Sequence, residues 1–380
     1  MKILLINYEY PPLGGGGGIA SQKLAEEYVR QGHEVDVVTT LFEDLPRIDI
    51  VNGINIYRIR VCGKRDRHSA GFLSLISFPI CAYWCAMKMC KKSAYDVIDA
   101  HFAVPSGLLG VWISKKAKTP VNLFIHGGDI YDPSKKLSPH RSFFLRFVVE
   151  WVLTNANRVI AQSTDSKNRV YAHYKYDSEI DIIPLAYDTV PFEKRTRDEL
   201  SLDKNKKYLI SGGRLVKRKD FGTLLKALAL LSDNIELLLF GSGPEENHLR
   251  NLALSLGIET RVHFLGYIQE DRKFQYLSVS DIYILSSLHE GFGIVLQEAM
   301  QVGLPIIATN NGGQTDLVEN GVNGFLVDVG DYRAIARFVD EMLNNDGLMR
   351  GFIKENLERI EHFKASKIVK QILKESESCA

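Results

Sequence analysis

Two glutamates stand eight positions apart in a segment that could hold a phosphate group. Glu290 and Glu298 lie within residues 289–299, which read HEGFGIVLQEA. The pattern predicts a helix beginning near Gly293 and Ile294, whose free amides and positive dipole end would meet an anion. Glu298 would lie about one turn inside this helix, and Glu290 on the loop before it. A glycosidase also uses paired carboxylates, but those come from opposite sides of a sugar and not from one loop.

A cluster of cations follows another strand candidate. Four of the six residues from Arg214 to Lys219 are basic, and they follow the apolar residues 208–211. Charge runs are usually solvated, but this one begins at the carboxyl end of a predicted parallel strand, which is where such sheets bind ligands. Since guanidinium and ammonium groups bind phosphate oxygens strongly, we predict a phosphate clamp. Gly243 and Tyr267 follow the next two strand candidates and belong to the same edge.

The first loop of the chain is rich in glycine. Residues 14–18 are all glycine and precede a helical pattern. Gly15, Gly16 and Gly17 would let backbone amides approach an anion. The spacing of Gly15, Gly17 and the alanine three positions later also fits a dinucleotide-binding fingerprint, but the second strand ends in Thr39-Thr40, where that motif needs an acidic residue. A loop that is merely flexible is the remaining alternative.

A histidine and a carboxylate follow the fifth strand candidate. His126 and Asp129 flank two glycines directly after the apolar residues 121–125. A single buried histidine is usually structural, yet its position at the carboxyl end of a strand favours a functional role here.

Short apolar runs alternate with helical patterns along the whole chain, which is typical of parallel sheets covered by helices. In the first half the strand candidates are residues 3–7, 35–39, 54–59, 97–100, 121–125, 159–161 and 180–184. In the second half they are residues 208–211, 235–240, 262–265, 282–285, 305–309 and 324–327.

This alternation predicts an α/β chain of two doubly wound domains. Residues 1–187 form the first domain and residues 207–362 the second. The charge-rich residues 188–206 are predicted to be an exposed linker, and residues 363–380 a helix that packs back on the first domain. The carboxyl ends of both sets of strands would face one crevice.

The composition is that of a globular protein, with 45% hydrophobic and 24% charged residues. Lys and Arg number 47 against 46 Asp and Glu, a net charge of +1, so we expect no nucleic-acid partner. Residues 1–186 carry a charge of +5 and the remainder −4, so an anionic surface would meet the first half. The five cysteines include no Cys-x-x-Cys, which favours neither disulfides nor a zinc site and is consistent with the cytoplasm.

Residues 71–87 form an uncharged segment of seventeen residues, the lower limit for a membrane span. We predict a helix packed on a sheet, with Cys81, Cys85 and Met89 on one face. Shallow contact with an anionic membrane, from a peripheral position, is the alternative. The basic residues that bracket the segment are Lys64, Arg65, Arg67, Lys88, Lys91 and Lys92.

Together these motifs resemble family 4 of the retaining glycosyltransferases, which have the GT-B fold of two facing Rossmann-like domains. The resemblance covers nearly the whole chain. Its matching segments are the Pro-Pro-x-Gly-Gly loop, Gly32-His33-Glu34-Val35, His126, residues 184–188, Gly213-Arg214-Leu215 with Lys219, Gly241-x-Gly243-Pro244, residues 264–266, the Glu290/Glu298 pair, Gly312-Gly313 and Gly321-x-x-Gly324. Ala186, Asp220 and Asp316 depart from residues common in the family, which affects local backbone or contacts.

The resemblance implies roles for the residues of the second domain. Arg214 and Lys219 would hold the donor diphosphate, and Glu298 would accept hydrogen bonds from the ribose hydroxyls. Glu290 would position the donor sugar and phosphate. The backbone amides that would help it are those of Gly291, Phe292, Gly293 and Ile294.

Further roles fall on the loops of both domains. His126 would touch the sugar from the first domain, with Asp129 beside it, and the region of Gly16 would close over the diphosphate. Tyr267 and Ile268 would contact the base, and Gly243 would line the donor site.

By the same resemblance, the chain would transfer a hexosyl unit from a UDP- or GDP-linked sugar to a glycan or a lipid-linked acceptor, and the sugar would retain its anomeric configuration. The sequence contains no Asp-x-Asp, so we expect neither metal nor cofactor. Retention would arise from attack on the same face of an oxocarbenium-like ion pair, with a donor phosphate oxygen taking the acceptor proton. Two alternatives stay open: a nucleotide-sugar epimerase or hydrolase of GT-B-like fold, and a non-catalytic sugar-nucleotide-binding subunit of a glycan-assembly complex.

Overall fold

The protein divides into two compact units. The computed structural model describes residues 1–64, 71–133 and 138–376. Residues 1–188 and the chain from Phe363 onward form the first unit, and Thr189–His362 form the second. A largely parallel sheet lies at the centre of each unit.

The sheet of the first unit has eight strands in the order β3-β4-β2-β1-β5-β6-β7-β8. Their bounds are β1 Lys2–Asn7, β2 Glu34–Thr40, β3 Ile48–Val51, β4 Ile54–Ile59, β5 Val97–His101, β6 Val121–Ile125, β7 Arg158–Ala161 and β8 Asp181–Ile182. Only β3 pairs antiparallel, with β4, among these described strands. Residues 3–6 of β1 are fully buried, as expected for a strand covered on both faces.

Helices cover both faces of this sheet. One face carries α1 (Gly16–Arg30) and the last helix, α12 (Ala365–Ser376), which pack through Leu24, Tyr28 and Ile368 among others. The other face carries α2 Phe72–Lys92, α3 Leu108–Ala117, α4 Phe143–Asn155 and α5 Thr164–His173.

The sheet of the second unit has six strands in the order β11-β10-β9-β12-β13-β14, all parallel. Their bounds are β9 Lys207–Gly212, β10 Ile235–Phe240, β11 Val262–Gly266, β12 Ile282–Leu285, β13 Ile306–Thr309 and β14 Gly324–Val327. The helices are α6 Phe221–Leu228, α7 Glu246–Ser255, α8 Glu270–Val279, α9 Ile294–Gln301, α10 Tyr332–Leu343 and α11 Asp346–Arg359.

The hairpin of β3 and β4 includes a strand that the sequence analysis missed. Ile48 and Ile50 are exposed, so burial does not mark β3 as a strand. Asn52 and Gly53 form the turn with φ of 53° and 79°, the two positive values typical of a type I′ hairpin turn. At the other edge, β8 is only two residues long, shorter than the predicted residues 180–184.

Residues 189–206, predicted as part of an exposed linker, fold with the second unit. Arg197 anchors them. Its guanidinium donates to the carbonyl oxygens of Val279 and Lys206, each at 2.9 Å, and pairs with Asp281 at 2.8 Å. Composition marks this segment as polar, but it does not reveal that one arginine ties it to the sheet.

Residues 72–87 of the uncharged segment lie within α2, and Gly71 caps the start of the helix. Phe78 and Ala82 are fully buried and belong to the core of the first unit, so the helix packs on the sheet. The predicted face was wrong in one position, because Cys81 is exposed while Met89 is buried. By length and composition alone, Leu73–Lys92 could cross a bilayer, with 39% of its most apolar window buried. Its core contacts are those of a helix covering a sheet.

Candidate functional site

Glu290 lies in a buried charge network of the second unit. Its Oε1 is 2.7 Å from Lys219 Nζ and accepts a 2.6 Å hydrogen bond from Ser287 Oγ, while its Oε2 is 3.1 Å from Arg218 Nη1. Lys219 and Arg218 follow β9, and Glu290 follows the neighbouring strand β12. Because parallel strands end at one edge of a sheet, residues distant in the sequence meet there.

Two cations keep Glu290 ionised. Burial alone would raise the pKa of this carboxyl group, but attraction to Lys219 and Arg218 outweighs burial and lowers the pKa of Glu290 to about 2. Hydrogen bonds from Lys219 and Ser287 act in the same direction. Glu290 is therefore a fixed carboxylate at neutral pH and not a proton donor.

The substitution Glu290→Gln is expected to reduce stability in a pH-dependent way. The folded carboxyl has a pKa of about 2, whereas an unfolded glutamate titrates near 4.3. Stabilisation by the ionised carboxylate is thus fully present above about pH 5 and is lost as the pH falls toward about 2. Urea unfolding of wild type and E290Q should give free energies that converge as the buffer is acidified.

An exposed carboxylate provides the control for this titration. Glu259 is exposed, so Glu259→Gln should change the free energy of unfolding little at any pH. A wild-type advantage over E290Q that stayed constant from neutral to about pH 3 would contradict the buried ion pair.

Glycines hold the Glu290 loop against the loop after β13. The amide of Gly313 donates to the carbonyl oxygen of Glu290 at 2.8 Å, and Glu290 forms a parallel bridge with Gly312. A Cβ atom on Gly312, whose φ is +117°, would lie 2.3 Å from that carbonyl oxygen. Only glycine fits here, so backbone and side-chain contacts both fix the position of Glu290.

Helix α9 begins directly after this loop, as predicted. Gly293 caps it with φ of 107°, and Phe292, before the cap, is buried. Ile294 is the first helical residue. The first amides of a helix have no partner within that helix and carry the positive end of its dipole, so this end can bind an anion.

The second carboxylate is also held by a lysine. Glu298 lies on α9, about one turn from its start, and its Oε1 is 2.7 Å from Lys273 Nζ of α8. Burial raises the pKa of Glu298, and attraction to Lys273 opposes that rise. Both acidic residues of the predicted site are therefore buried and positioned by cations.

The cations of residues 214–219 differ in their contacts with Glu290. Lys219 and Arg218 contact Glu290, and Arg218 also donates to the carbonyl oxygen of His289 at 2.7 Å. The side chain of Arg214 is exposed. It makes no hydrogen bond or ion pair with the part of the chain that the structure describes. Arg214 is thus available to an anion.

Glycine also lets the loops after β9 and β10 touch. A Cβ atom on Gly241 would lie 1.9 Å from the carbonyl oxygen of Gly213, and one on Gly243 would lie 2.4 Å from that of Leu215. Beyond β11, Tyr267 is exposed and Ile268 is half-buried.

In the first unit, the glycine-rich loop lies close to His126. Gly15 caps α1 and Gly16 is its first residue; both are exposed. A Cβ atom on Gly17 would lie 2.4 Å from the ring of Phe102. That ring is 4.4 Å from the ring of His126, measured between centroids. The structure thus brings two predicted segments together around Phe102.

His126 is paired with a second buried histidine. Its Nε2 is 3.0 Å from His101 Nδ1. Burial lowers the pKa of His126 to about 4 and lowers that of His101 as well, so both are neutral at pH 7. Asp129 accepts hydrogen bonds from the amides of His126 and Ala103 at 2.9 and 2.7 Å. These contacts give Asp129 a part in holding the loop.

Sequence reasoning missed four residues that contact the predicted ones: Ser287, Lys273, His101 and Phe102. Arg218 was among the cations of the predicted phosphate clamp, but no separate role was predicted for it. Ser287 is close in sequence to Glu290 and could have been included. Nothing in the local sequence marks Lys273 or His101, because each meets its partner only through the tertiary fold. Among the residues described, no group of three His, Cys, Asp or Glu side chains could hold a metal ion.

Two family models match the chain. Residues 192–359 match the family described as glycosyl transferases group 1, and residues 14–190 match the one described as glycosyltransferase family 4. The point where the two matches meet, at residues 190–192, lies within four residues of the boundary between Asp188 and Thr189 that separates the compact units.

Curated relatives align over nearly the full length. An uncharacterized glycosyltransferase of Methanocaldococcus jannaschii is 29% identical, with 94% of this chain and 93% of the relative covered. The N-acetyl-alpha-D-glucosaminyl L-malate synthase of Bacillus anthracis is 28% identical, with 95% and 93% covered.

Solved structures share the fold. The sucrose-phosphate synthase of Thermosynechococcus elongatus has a TM-score of 0.84 at 22% identity, covering 99% of this chain and 98% of its own. The Anabaena protein HepE in complex with UDP-glucose has a TM-score of 0.78 at 23% identity, with both chains fully covered. These neighbours have the GT-B fold of two Rossmann-like domains, in agreement with the parallel sheets of both units.

Proposed function

Because the chain belongs to the glycosyltransferases of group 1 and family 4, we propose that it transfers a hexosyl unit from a nucleotide sugar to a glycan or a lipid-linked acceptor. The proposed donor is linked to UDP or GDP, and the proposed reaction retains the anomeric configuration without metal or cofactor. A cytoplasmic location, with peripheral contact to a membrane, belongs to the same proposal.

The observation that carries this proposal is the Glu290 network at the start of α9. Arg214, Arg218 and Lys219 supply three positive charges, of which the single carboxylate of Glu290 compensates one. The remaining positive charge suits a donor diphosphate, and the start of α9 adds amide donors. Charge that is organised before the reaction stabilises a leaving diphosphate as its bond to the sugar breaks.

The two carboxylates have roles other than nucleophilic attack in this proposal. Glu290 is tied to Lys219, Arg218 and Ser287, and Glu298 to Lys273. Glu290 lies on the loop before α9 and Glu298 on α9 itself, so both come from one chain segment, whereas a glycosidase needs its two carboxylates on opposite sides of the sugar. We therefore propose that Glu290 orients the donor sugar and phosphate and that Glu298 accepts hydrogen bonds from the ribose. A donor phosphate oxygen would take the acceptor proton.

The first unit supplies the other proposed contacts. His126 is neutral at pH 7 because its burial lowers its pKa to about 4, so it would donate or accept a hydrogen bond with a sugar hydroxyl without adding charge. Gly15 and Gly16, exposed at the start of α1, would bind donor phosphate through backbone amides. The proposed contacts of the base are Tyr267 and Ile268.

Turnover with and without acceptor tests the proposal. The wild type is expected to release nucleotide diphosphate from its donor only when a glycan or lipid extract supplies an acceptor. UDP-glucose is the first donor to test, because HepE, a protein of the same fold, was solved with it. Because the proposed charge stabilisation needs no metal, the rate should persist in EDTA.

Thermal unfolding with UDP-, GDP- and ADP-sugars identifies the base. A donor at about 100 times its Kd adds about 2.7 kcal/mol to the free energy of unfolding. Donor consumption without acceptor would favour an epimerase or hydrolase, and binding without turnover would favour a non-catalytic subunit. Full loss of activity in EDTA, restored by Mg²⁺ or Mn²⁺, would refute the proposal that the reaction needs no metal.

A further inference from the structure

The helical layer formed by α2, α3 and α4 leaves large apolar side chains exposed. Trp84 is 75% exposed and Phe143 is 84% exposed, although aromatic residues of this size are normally buried. We call these residues the apolar patch: Leu73, Ile76, Ile80 and Trp84 of α2, and Phe143, Phe144 and Phe147 of α4.

The α2 part of the patch follows the helical repeat. Its members are three or four positions apart, so they share the side of α2 opposite the buried Phe78 and Ala82. A surface groove of about 500 Å³ adjoins them, between α2 and α3. Its lining residues are Ile80, Tyr83, Trp84, Trp112, Lys115 and Lys116.

Lys115 connects the two parts of the patch. It lines the groove beside Trp84, and its Nζ lies 4.8 Å from the ring centroid of Trp151 on α4. Trp151, Phe147 and Phe143 are four residues apart and therefore lie along one stripe of α4. The exposed aromatic groups thus belong to one continuous surface of the first unit.

The charged residues of α2 and α3 all have one sign. Helices α2 and α3 contain no Asp or Glu. Lys88, Lys91 and Lys92 are exposed on α2, and Lys115 and Lys116 on α3. On α4 the one acidic residue, Glu150, lies 3.7 Å from Arg146. An apolar surface bordered by lysines is complementary to an anionic lipid surface, since indole and phenyl rings enter the interface while ammonium groups meet phosphates.

We propose that this surface binds a bilayer containing anionic phospholipids. The aromatic side chains of the apolar patch insert among the headgroups, and the lysines of α2 and α3 lie against lipid phosphates. Two of the basic residues predicted to bracket α2, Arg65 and Arg67, lie outside the described residues and have no part in the proposal. This inference deepens the membrane contact of the proposed function, and a link to a lipid-linked acceptor rests on the proposed transfer reaction, whereas vesicle binding can be measured without that reaction.

Vesicle sedimentation without donor tests the surface. Wild type is expected to sediment with phosphatidylglycerol vesicles at low salt and to remain in solution with phosphatidylcholine vesicles. Binding should weaken toward about 1 M salt, where the Debye length falls to about 3 Å. The triple variant Leu73→Ser, Ile80→Ser, Trp84→Ser should lower the partition coefficient at least about tenfold, because binding scales with buried apolar area.

The second unit offers a matched control. Leu254 and Leu73 are both 63% exposed, so Leu254→Ser matches the Leu73→Ser component of the triple variant on the second unit and should leave vesicle binding unchanged. Charge reversal at Lys88, Lys91 and Lys92 should also reduce binding. The substituted side chains of the triple variant are exposed, so its thermal unfolding temperature and donor-induced shift should match those of wild type.

Three results would overturn the proposal. Wild type could remain in solution with phosphatidylglycerol vesicles at low salt, or the triple variant could bind as strongly as the Leu254→Ser control. Sedimentation velocity without vesicles could also show a dimer that the triple variant dissociates, in which case a second copy of the chain covers the patch. Turnover of a soluble acceptor reports separately on the proposed function, so the failure of either is distinguishable.

Discussion

Replacing Lys219 by alanine is expected to lower kcat by roughly 10²- to 10³-fold, the amount typical of losing one preorganised charge partner. Lys219 is 2.7 Å from Glu290 Oε1, so the substitution removes a cation and leaves the buried carboxylate with fewer partners. Under the proposed function, the loss of positive charge would weaken stabilisation of the leaving diphosphate, and movement of Glu290 would misplace the donor sugar. Single-turnover rates at saturating donor measure the effect on the transfer step.

A neighbouring lysine is the control for this variant. Lys217 lies in the same turn, Lys217–Lys219, and is exposed. No contact of its ammonium group with a carboxylate occurs in the described chain. Lys217→Ala should therefore leave kcat within about threefold of wild type. If Lys219→Ala retained the same rate while still folded, the phosphate-clamp assignment would be wrong.

Replacing Gly241 by alanine should destabilise the second unit by about 3 kcal/mol, because the substitution strains the backbone and also makes the new Cβ overlap a neighbouring backbone atom. The residue has a φ of +112°, and the new Cβ would lie 1.9 Å from the carbonyl oxygen of Gly213. The two backbone segments after β9 and β10 would have to separate. Thermal unfolding should show a Tm lowered by about 10 °C, and the separation should also weaken donor binding.

A substitution at Gly257 is the control that separates the cost of backbone strain from the cost of overlap between atoms. Its φ is +67°, and no heavy atom lies within 4 Å of a Cβ placed there. Gly257→Ala should therefore cost only about 1 kcal/mol, from the left-handed conformation alone. Equal losses for the two variants would show that the loops after β9 and β10 do not make the close contact described.

Strand positions in both sheets follow closely from the sequence, because a strand buried on both faces must be apolar along its length. The predicted residues 54–59, 121–125, 235–240, 282–285 and 324–327 coincide with β4, β6, β10, β12 and β14. The same reasoning failed for β3, whose exposed isoleucines lack that pattern. The sequence analysis also placed Cys81 on the buried face of α2, because the exposed and the buried side of this helix are both apolar in sequence.

The sequence by itself determined which loops form the candidate site, since cations, paired glutamates and glycines follow predicted strands. Which of these residues contact one another was decided only by the tertiary structure. Lys219 and Glu290 are 71 positions apart and meet because β9 and β12 are neighbours in the sheet. Arg218, not Arg214, completes that contact. Which of these two arginines, four positions apart, contacts Glu290 depends on the path of the backbone after β9, which periodicity and composition do not encode.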